Sequence, residues 1–282
     1  MRPLGRLPNF IVIGAMKAGT TGLHHYLGLH PQISMSKEKE LDFFVQELNW
    51  RKGLQWYQSN FSGEAQVRGE SSHNYTCYPH FSGVPERMYA LVPQAKLIYL
   101  LRDPVERIIS QYLQNYTDGR ENGEMASAVM EASHSRYISR SKYCMQLEQY
   151  WRYYSESQIL LLTQEALQAQ PRETLRNVFR FLEVDETFYD PAFSVPRHES
   201  RYLRRKNGVG LFLARLARGS AIRRLPLGVR EHVGRWLYRP FSSKVERPVL
   251  NQDLRERIIT CLADDMRRLR AHTGCAFEDW CV

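Results

Sequence analysis

Eight residues near the N-terminus, Gly14-Ala15-Met16-Lys17-Ala18-Gly19-Thr20-Thr21, combine two glycines, a lysine and paired threonines in a way that suits an anion. Glycines let the backbone approach a ligand closely. The amides of a turn entering a helix point at negative charge, and Lys17 adds a full positive charge. The spacing GxxxxG is that of a phosphate loop, but Thr20 follows the second glycine. A Walker A loop needs Lys and then Ser or Thr at that point, to reach the outer phosphates and Mg²⁺. With its lysine inside the loop, this site is expected to hold a phosphate with no metal required. A bare glycine turn between strand and helix would need neither the lysine nor the threonines.

The elements that must position this loop are legible on either side of it. The apolar run Phe10–Ile13 reads as a strand, and Leu23, Tyr26 and Leu27 form the stripe of a helix from about Thr20 that stops before Pro31. Further strands are predicted at Val67–Glu70, Lys96–Leu101 and Ile159–Leu162, and helices at Tyr143–Tyr154, Pro171–Leu182 and Leu250–Leu269. Another helix starts at Asp103-Pro104-Val105-Glu106. Asp103 serves as its cap, Pro104 occupies the first helical position, and Glu106 stands where a capping box places its acid. Its stripe is Val105, Ile108, Ile109, Tyr112, Leu113 and Tyr116. Strands alternating with helices predict an α/β fold, a central parallel sheet flanked by helices. One domain over residues 1–282 is the simplest count, with a less regular basic segment at about 197–248.

Composition narrows the class. The chain of 282 residues is 43% hydrophobic and 12% aromatic, ordinary globular material. Phe10–Ile13 is too short for a signal-peptide core or a membrane span, so a cytoplasmic, reducing setting is expected, with the five cysteines as free thiols. The net charge of +9 is concentrated between Arg197 and Arg247, where fourteen Lys/Arg face three Asp/Glu. Such a stretch suits a polyanion, an anionic nucleotide or an acidic membrane surface. Within it Val209–Leu213, followed by Arg215, Arg218, Arg223 and Arg224, has the mixed character of an interfacial segment, which predicts peripheral membrane contact and an anionic or lipid-borne acceptor. No helix–turn–helix, zinc-finger or base-stacking pattern accompanies the charge, so no nucleic-acid partner is expected.

The segment IVIGAMKAGTTGL resembles the 5′-phosphosulfate loop of the sulfotransferases that use 3′-phosphoadenosine 5′-phosphosulfate (PAPS). HPQISMSKEKELDFF is similar to the segment that follows in the heparan sulfate sulfotransferase branch and its bacterial relatives. LIYLLRDPVERIISQY resembles the family's 3′-phosphate segment. The resemblance runs from Asn9 to about Asp185 and implies the P-loop-like nucleotide-binding sulfotransferase fold. It implies PAPS as sulfuryl donor, with Lys17, Ala18, Gly19, Thr20 and Thr21 on the 5′ side and Arg102 and Ser110 on the 3′-phosphate. Arg102 ends a strand, where α/β ligands usually sit, and Ser110 falls off the apolar stripe. The basic run Arg204-Arg205-Lys206 resembles a loop that closes over the nucleotide in relatives.

The same resemblance places the catalytic carboxylate at Glu40, in a segment crowded with charge, and gives charge neutralisation on the leaving phosphate to Lys17. His73 is the rival base, since histidine fills that role in the cytosolic branch and its ordinary pKa suits proton transfer near neutrality. Gly69-Glu70-Ser71 matches a motif in which several glycan-modifying members carry Lys where this chain has Ser71, so no catalytic lysine is expected from that loop. His24, His25 and His30 read as packing or surface residues. The acceptor is expected to carry a hydroxyl on a glycan, lipid or natural product. Two alternatives share parts of the pattern. A nucleotide-dependent kinase would need the Walker lysine and magnesium ligands, and a non-catalytic polyanion-binding module would bind without nucleotide specificity.

Overall fold

The computed structural model describes residues 7–61, 65–130, 136–194, 204–206, 209, 240, 242–245 and 247–282. Five parallel strands form the sheet: β1 (Phe10–Gly14), β2 (Ile33–Met35), β3 (Val67–Ser71), β4 (Lys96–Leu101) and β5 (Ile159–Thr163), in the order β2-β3-β1-β4-β5. All five residues of β1 are buried, and its neighbours β3 and β4 are nearly so, as expected for central strands covered on both faces. The helices are α1 (Thr20–Leu29), α2 (Gly53–Gln58), α3 (Val84–Leu91), α4 (Pro104–Thr117), α5 (Met125–Met130), α6 (Arg136–Ser139), α7 (Tyr143–Tyr150), α8 (Gln164–Ala169), α9 (Pro171–Leu182) and α10 (Gln252–Thr273). Arg204–Lys206 forms β6, antiparallel to β7 (Ser242–Lys244). No helix among the described residues is long and apolar enough to cross a membrane.

The predicted strands and most predicted helices are present, with four differences. β2 has no apolar run to announce it; it exists because Ile33, Ser34 and Met35 pair with β3. The helix at Tyr143 ends at Tyr150, yet Tyr154 is buried beyond it and donates to the carbonyl of Val92, so the apolar pattern outlasts the helix. The helix predicted at Leu250–Leu269 starts at Gln252, capped by Asn251, whose side chain accepts from the N–H of Leu254 at 2.8 Å.

The fourth difference lies at the start of α4. Asp103 caps it as predicted, its Oδ1 accepting from the N–H groups of Val105 and Glu106, both at 2.9 Å. No capping box forms. Glu106 turns instead to Arg102 and Arg247, and the N–H of Asp103 donates to Glu165 at 3.0 Å. An arginine on either side of Glu106 outcompetes one backbone amide, because charge-assisted pairs are the stronger ones.

The basic stretch at 210–239 lies outside the described residues, as do the side chains of Arg204 and Lys206.

Candidate active site

The phosphate loop sits at the C-terminal end of β1, the crevice where α/β folds bind ligands. Gly14 has φ 155°, and a Cβ there would lie 2.2 Å from Thr76 Oγ1, so the loop leaves the strand where no side chain fits. Thr76 holds that corner by donating to the carbonyl of Ile13 at 3.1 Å. Lys17 adopts φ 70°, a left-handed conformation uncommon for a residue with a side chain. Gly19, at φ 95°, precedes α1, and no side chain caps the helix. Its first amides are thus left to whatever enters the loop. Ala18 and Thr20 are buried beneath the turn, while Thr21 is exposed.

The second predicted segment converges on this loop. Arg102, at the end of β4, donates from Nη1 to the carbonyl of Lys17 at 3.2 Å. Lys17 Nζ donates to Gln114 on α4 at 3.2 Å, and Ser110 stands one helical turn before Gln114. Burial lowers the pKa of Lys17, with the charge of Arg102 next, partly offset by Asp118 and Glu40. Ser110 does not lie on an open helix face as its position off the apolar stripe suggests. It is only 4% exposed, because α4 is covered on more than one side. Its hydroxyl has no partner among the described residues, which keeps it available to a phosphate oxygen.

Two further arginines underlie the loop, and neither stands out in the sequence. Arg107 is completely buried, with Nε on Ser141 Oγ at 2.6 Å, Nη1 on Gln111 at 2.7 Å and on the carbonyl of Met16 at 3.5 Å, and Nη2 on the carbonyl of Tyr137 at 2.6 Å. Every one of these acceptors is neutral, and burial pushes its pKa down to about 10. Arg140 is 7% exposed and reaches Met16, Cys77 and Asn74. Neither arginine has a carboxylate partner among the described residues. Buried charges are normally paired, so the loop floor carries positive charge that an incoming anion would balance.

On the other side of the crevice, the two rival bases prove to be one unit. Glu40 Oε1 receives His73 Nδ1 at 3.0 Å and Lys39 Nζ at 2.6 Å. Burial opposes ionisation of Glu40, but the hydrogen bond and charge of His73 and then Lys39 outweigh it and hold the carboxyl well below the usual range. Glu40 Oε2 has no partner among the described residues. The backbone at Glu40 is left-handed, φ 62°, and its N–H donates to the carbonyl of Ser71 at 2.9 Å. The side chain of Ser71 pairs with His24 Nδ1 at 3.0 Å, so His24 belongs to the wall of the site and is not a packing or surface residue. Burial, followed by the charge of Lys39, lowers its pKa to about 4. His30 packs as predicted, against Phe179 and Phe188.

Glu70 is wholly buried behind this wall. Tyr57 and Tyr75 donate to its Oε1 at 2.5 and 2.9 Å, and Ser72 to its Oε2 at 3.0 Å. It is a structural anchor, with burial raising its pKa to about 7 against those three hydrogen bonds.

Arg205 lies against α4 and the segment that follows it. Its guanidinium lies 4.1 Å from the ring centroid of Tyr116 on α4 and donates to Tyr116 Oη at 2.5 Å and to Asn122 at 2.8 Å.

Comparison with known proteins shows the family and the fold. Residues 7–195 match the family model described as the sulfotransferase domain. A bifunctional heparan sulfate N-deacetylase/N-sulfotransferase 4 of Mus musculus is 31% identical over 199 residues, 63% of this chain and 22% of that protein. A membrane-associated sulfotransferase of Dictyostelium discoideum is 42% identical over 111 residues, covering 38% of this chain and 22% of its own length. The chain therefore spans less than a quarter of the length of these relatives. A sulfotransferase structure from Alicyclobacillus acidocaldarius superposes with TM-score 0.70 at 22% identity, over 98% of this chain and 99% of that one. A mouse sulfotransferase complexed with PAP gives TM-score 0.54 at 12% identity, over 93% and 85% of the two chains. With the fold shared and two thirds of its length matched by the family model, this chain belongs to the sulfotransferase domain family.

Proposed function

We propose that the chain transfers a sulfuryl group from PAPS to an acceptor hydroxyl, with Glu40 as the general base. The observation that carries this reading is the meeting of the two nucleotide segments, Arg102 on the carbonyl of Lys17 and Lys17 on the helix of Ser110. The residues fit such a donor: the Gly14 corner excludes any side chain, and among the described residues the Ser110 hydroxyl has no partner and Arg107 and Arg140 have no carboxylate. Lys17, Ala18, Gly19, Thr20 and Thr21 hold the 5′ side, and Arg102 and Ser110 the 3′-phosphate. PAPS, when bound, supplies the sulfuryl group and a bisphosphate leaving group.

The chain's own residues do the rest. Lys17 lies where negative charge grows as the sulfuryl bond breaks, and its lowered pKa reflects a partly dry site in which that charge counts for more. Glu40 stays ionised across the working range and presents Oε2 to the acceptor hydroxyl, whose proton it takes. His73 and Lys39 fix Oε1, so the carboxylate does not swing. The acceptor is a hydroxyl on a glycan, lipid or natural product. The glycan arm draws on the heparan sulfate name of the mouse relative. Ser71, paired with a neutral His24, offers no lysine to an anionic sugar.

The test is thermal unfolding in EDTA with adenosine 3′,5′-bisphosphate, which should raise Tm. Ligand at a hundred times its Kd stabilises the native state by about 2.7 kcal/mol. Equal or greater stabilisation by ATP–Mg²⁺ would favour a kinase instead. A panel of sugars, phenols and lipids with radiolabelled PAPS would then identify the acceptor.

A further inference from the structure

Arg140 lies between α6 and α7, far in sequence from both halves of the site, yet it touches each. On the donor side it reaches Met16 Sδ, the residue before Lys17. On the acceptor side Nη2 donates to Asn74 Oδ1 at 2.8 Å, while Nε donates to Cys77 Sγ at 2.9 Å. Asn74 passes the contact on, donating from Nδ2 to Asp42 Oδ2 at 2.9 Å. Asp42 is 8% exposed and left-handed at φ 46°, and its N–H donates to Ser72 Oγ at 3.0 Å. Its Oδ1 is buried without a hydrogen-bond partner among the described residues. Asp42 stands two residues from Glu40, in a segment whose backbone is left-handed at both positions.

This arrangement is costly unless it has a use. A buried guanidinium without a carboxylate and a buried carboxylate oxygen without a donor each oppose folding. Burial raises the carboxyl of Asp42, against the Asn74 hydrogen bond and the charges of His73 and Arg140, while the charge of Glu40 adds to the rise. The two groups thus answer each other through one amide and not by direct contact.

We propose that Arg140 is a positioning residue that ties the phosphate loop to the segment carrying Glu40, through Asn74 and Asp42. The inference rests on the reading of the Lys17 loop as the donor site and of Glu40 as the base. An anion in the loop gives Arg140 the counter-charge it lacks and pins Met16 against it. The same guanidinium, through Asn74, then holds the left-handed turn at Asp42 and with it the Glu40 carboxylate. The donor's arrival sets the base.

Backbone hydrogen–deuterium exchange on the full chain, with and without adenosine 3′,5′-bisphosphate in EDTA, tests this without an acceptor. In the unmodified protein, saturating bisphosphate should slow exchange in the loop at residues 14–22 and also in residues 37–45. Asn74→Ala should still bind bisphosphate by calorimetry, weakened by no more than the coupling it removes, since Asn74 itself does not touch the donor. It should protect the loop and lose the protection of 37–45. Arg140→Lys should keep binding but lose the remote protection, since an ammonium cannot reproduce a planar three-way fork. Arg140→Gln should weaken binding as well; if it fails to fold, Asn74→Ala still decides. Protection of 37–45 that survives in Asn74→Ala, or that is absent from a parent protein which does bind bisphosphate, overturns the proposal. A parent that does not bind bisphosphate at all overturns the donor reading, and this inference with it.

Discussion

Around the phosphate loop, cations meet neutral partners; around Glu40, charged groups meet their opposites. Lys17 rests on an amide, and Arg107 on a hydroxyl, an amide and two carbonyls. Among the described residues Arg102 alone on that side has a carboxylate, Glu106, and shares it with Arg247. Across the crevice Glu40 is held by Lys39 and His73, and Glu70 behind it is the exception, held by three neutral hydroxyls. On the reading proposed above, the loop side is completed by a ligand. Around Glu40 the acceptor side supplies its own counter-charges, while Asp42 Oδ1, two residues on, has no partner among the described residues. On that same reading, a donor that is bound and released beside a base oriented by its own partners suits this asymmetry.

The strongest way to break the comparison is at the base. Glu40→Gln keeps the shape and removes the proton acceptor, so turnover with an acceptor from the labelled-donor panel should fall by ~10²–10⁴. Affinity for adenosine 3′,5′-bisphosphate should barely change, because the acceptor side holds no part of the donor. His73→Asn should cost less, since it releases Glu40 Oε1 from one of its two partners and leaves Lys39 in place. The reverse order, with Glu40→Gln near native and His73→Asn inactive, would move the base to His73.

Lys17→Ala probes the other half, with a somewhat smaller expected effect on turnover, ~10²–10³, as for removal of one transition-state donor. Here bisphosphate affinity should fall too, because the same ammonium serves ground state and transition state. An unchanged affinity measured by calorimetry would mean that the loop amides and the buried arginines bind the phosphate without it.

The same asymmetry explains what the sequence disclosed. The donor half is written in contiguous motifs: a strand, a glycine turn and a helix start, with Arg102 ending β4 within one residue of its predicted place. Local rules suffice there, because each residue acts through its own backbone or its own turn of helix. The acceptor half is assembled from loops. Glu40 and His73 stand 33 residues apart in the chain, and hydrogen bonds linking Glu40, Asp42 and Phe43 with Ser71, Ser72, Asn74 and Tyr75 bring them together. Read singly they are rivals; folded, they are partners. Arg140 gave no signal, because an arginine in a polar run reads as a surface residue until Asn74 and Met16 close on it. β2 escaped notice for the opposite reason, since three residues held by a neighbouring strand need no apolar run of their own.

The smallest expected effect concerns whether the acceptor half is anchored by a charge or by a neutral acid. Burial raises Glu70 from 4.5 to about 7, so the folded protein holds its proton more tightly than the unfolded chain does. Where the native state binds more protons, stability falls as pH rises. Glu70 should therefore cost stability progressively between about pH 4.5 and 7, with a slope of at most about 1.4 kcal/mol per pH unit. His24 works the other way in much the same window. Its pKa is lowered from 6.5 to about 4, so its contribution is lost as pH falls, and the two slopes partly cancel in the parent protein. Glu70→Gln separates them: glutamine still accepts from Tyr57 and Tyr75 through its oxygen and can donate to Ser72 Oγ, yet it has no proton to lose. Urea unfolding of parent and variant from pH 5 to 8 should show the variant gaining relative stability as pH rises. Parallel curves would mean that Glu70 ionises alike in both states and that three hydroxyls are enough to hold a buried charge. The acceptor half would then resemble the loop side more than its closed pairs suggest, with a bare charge stabilised by neutral donors.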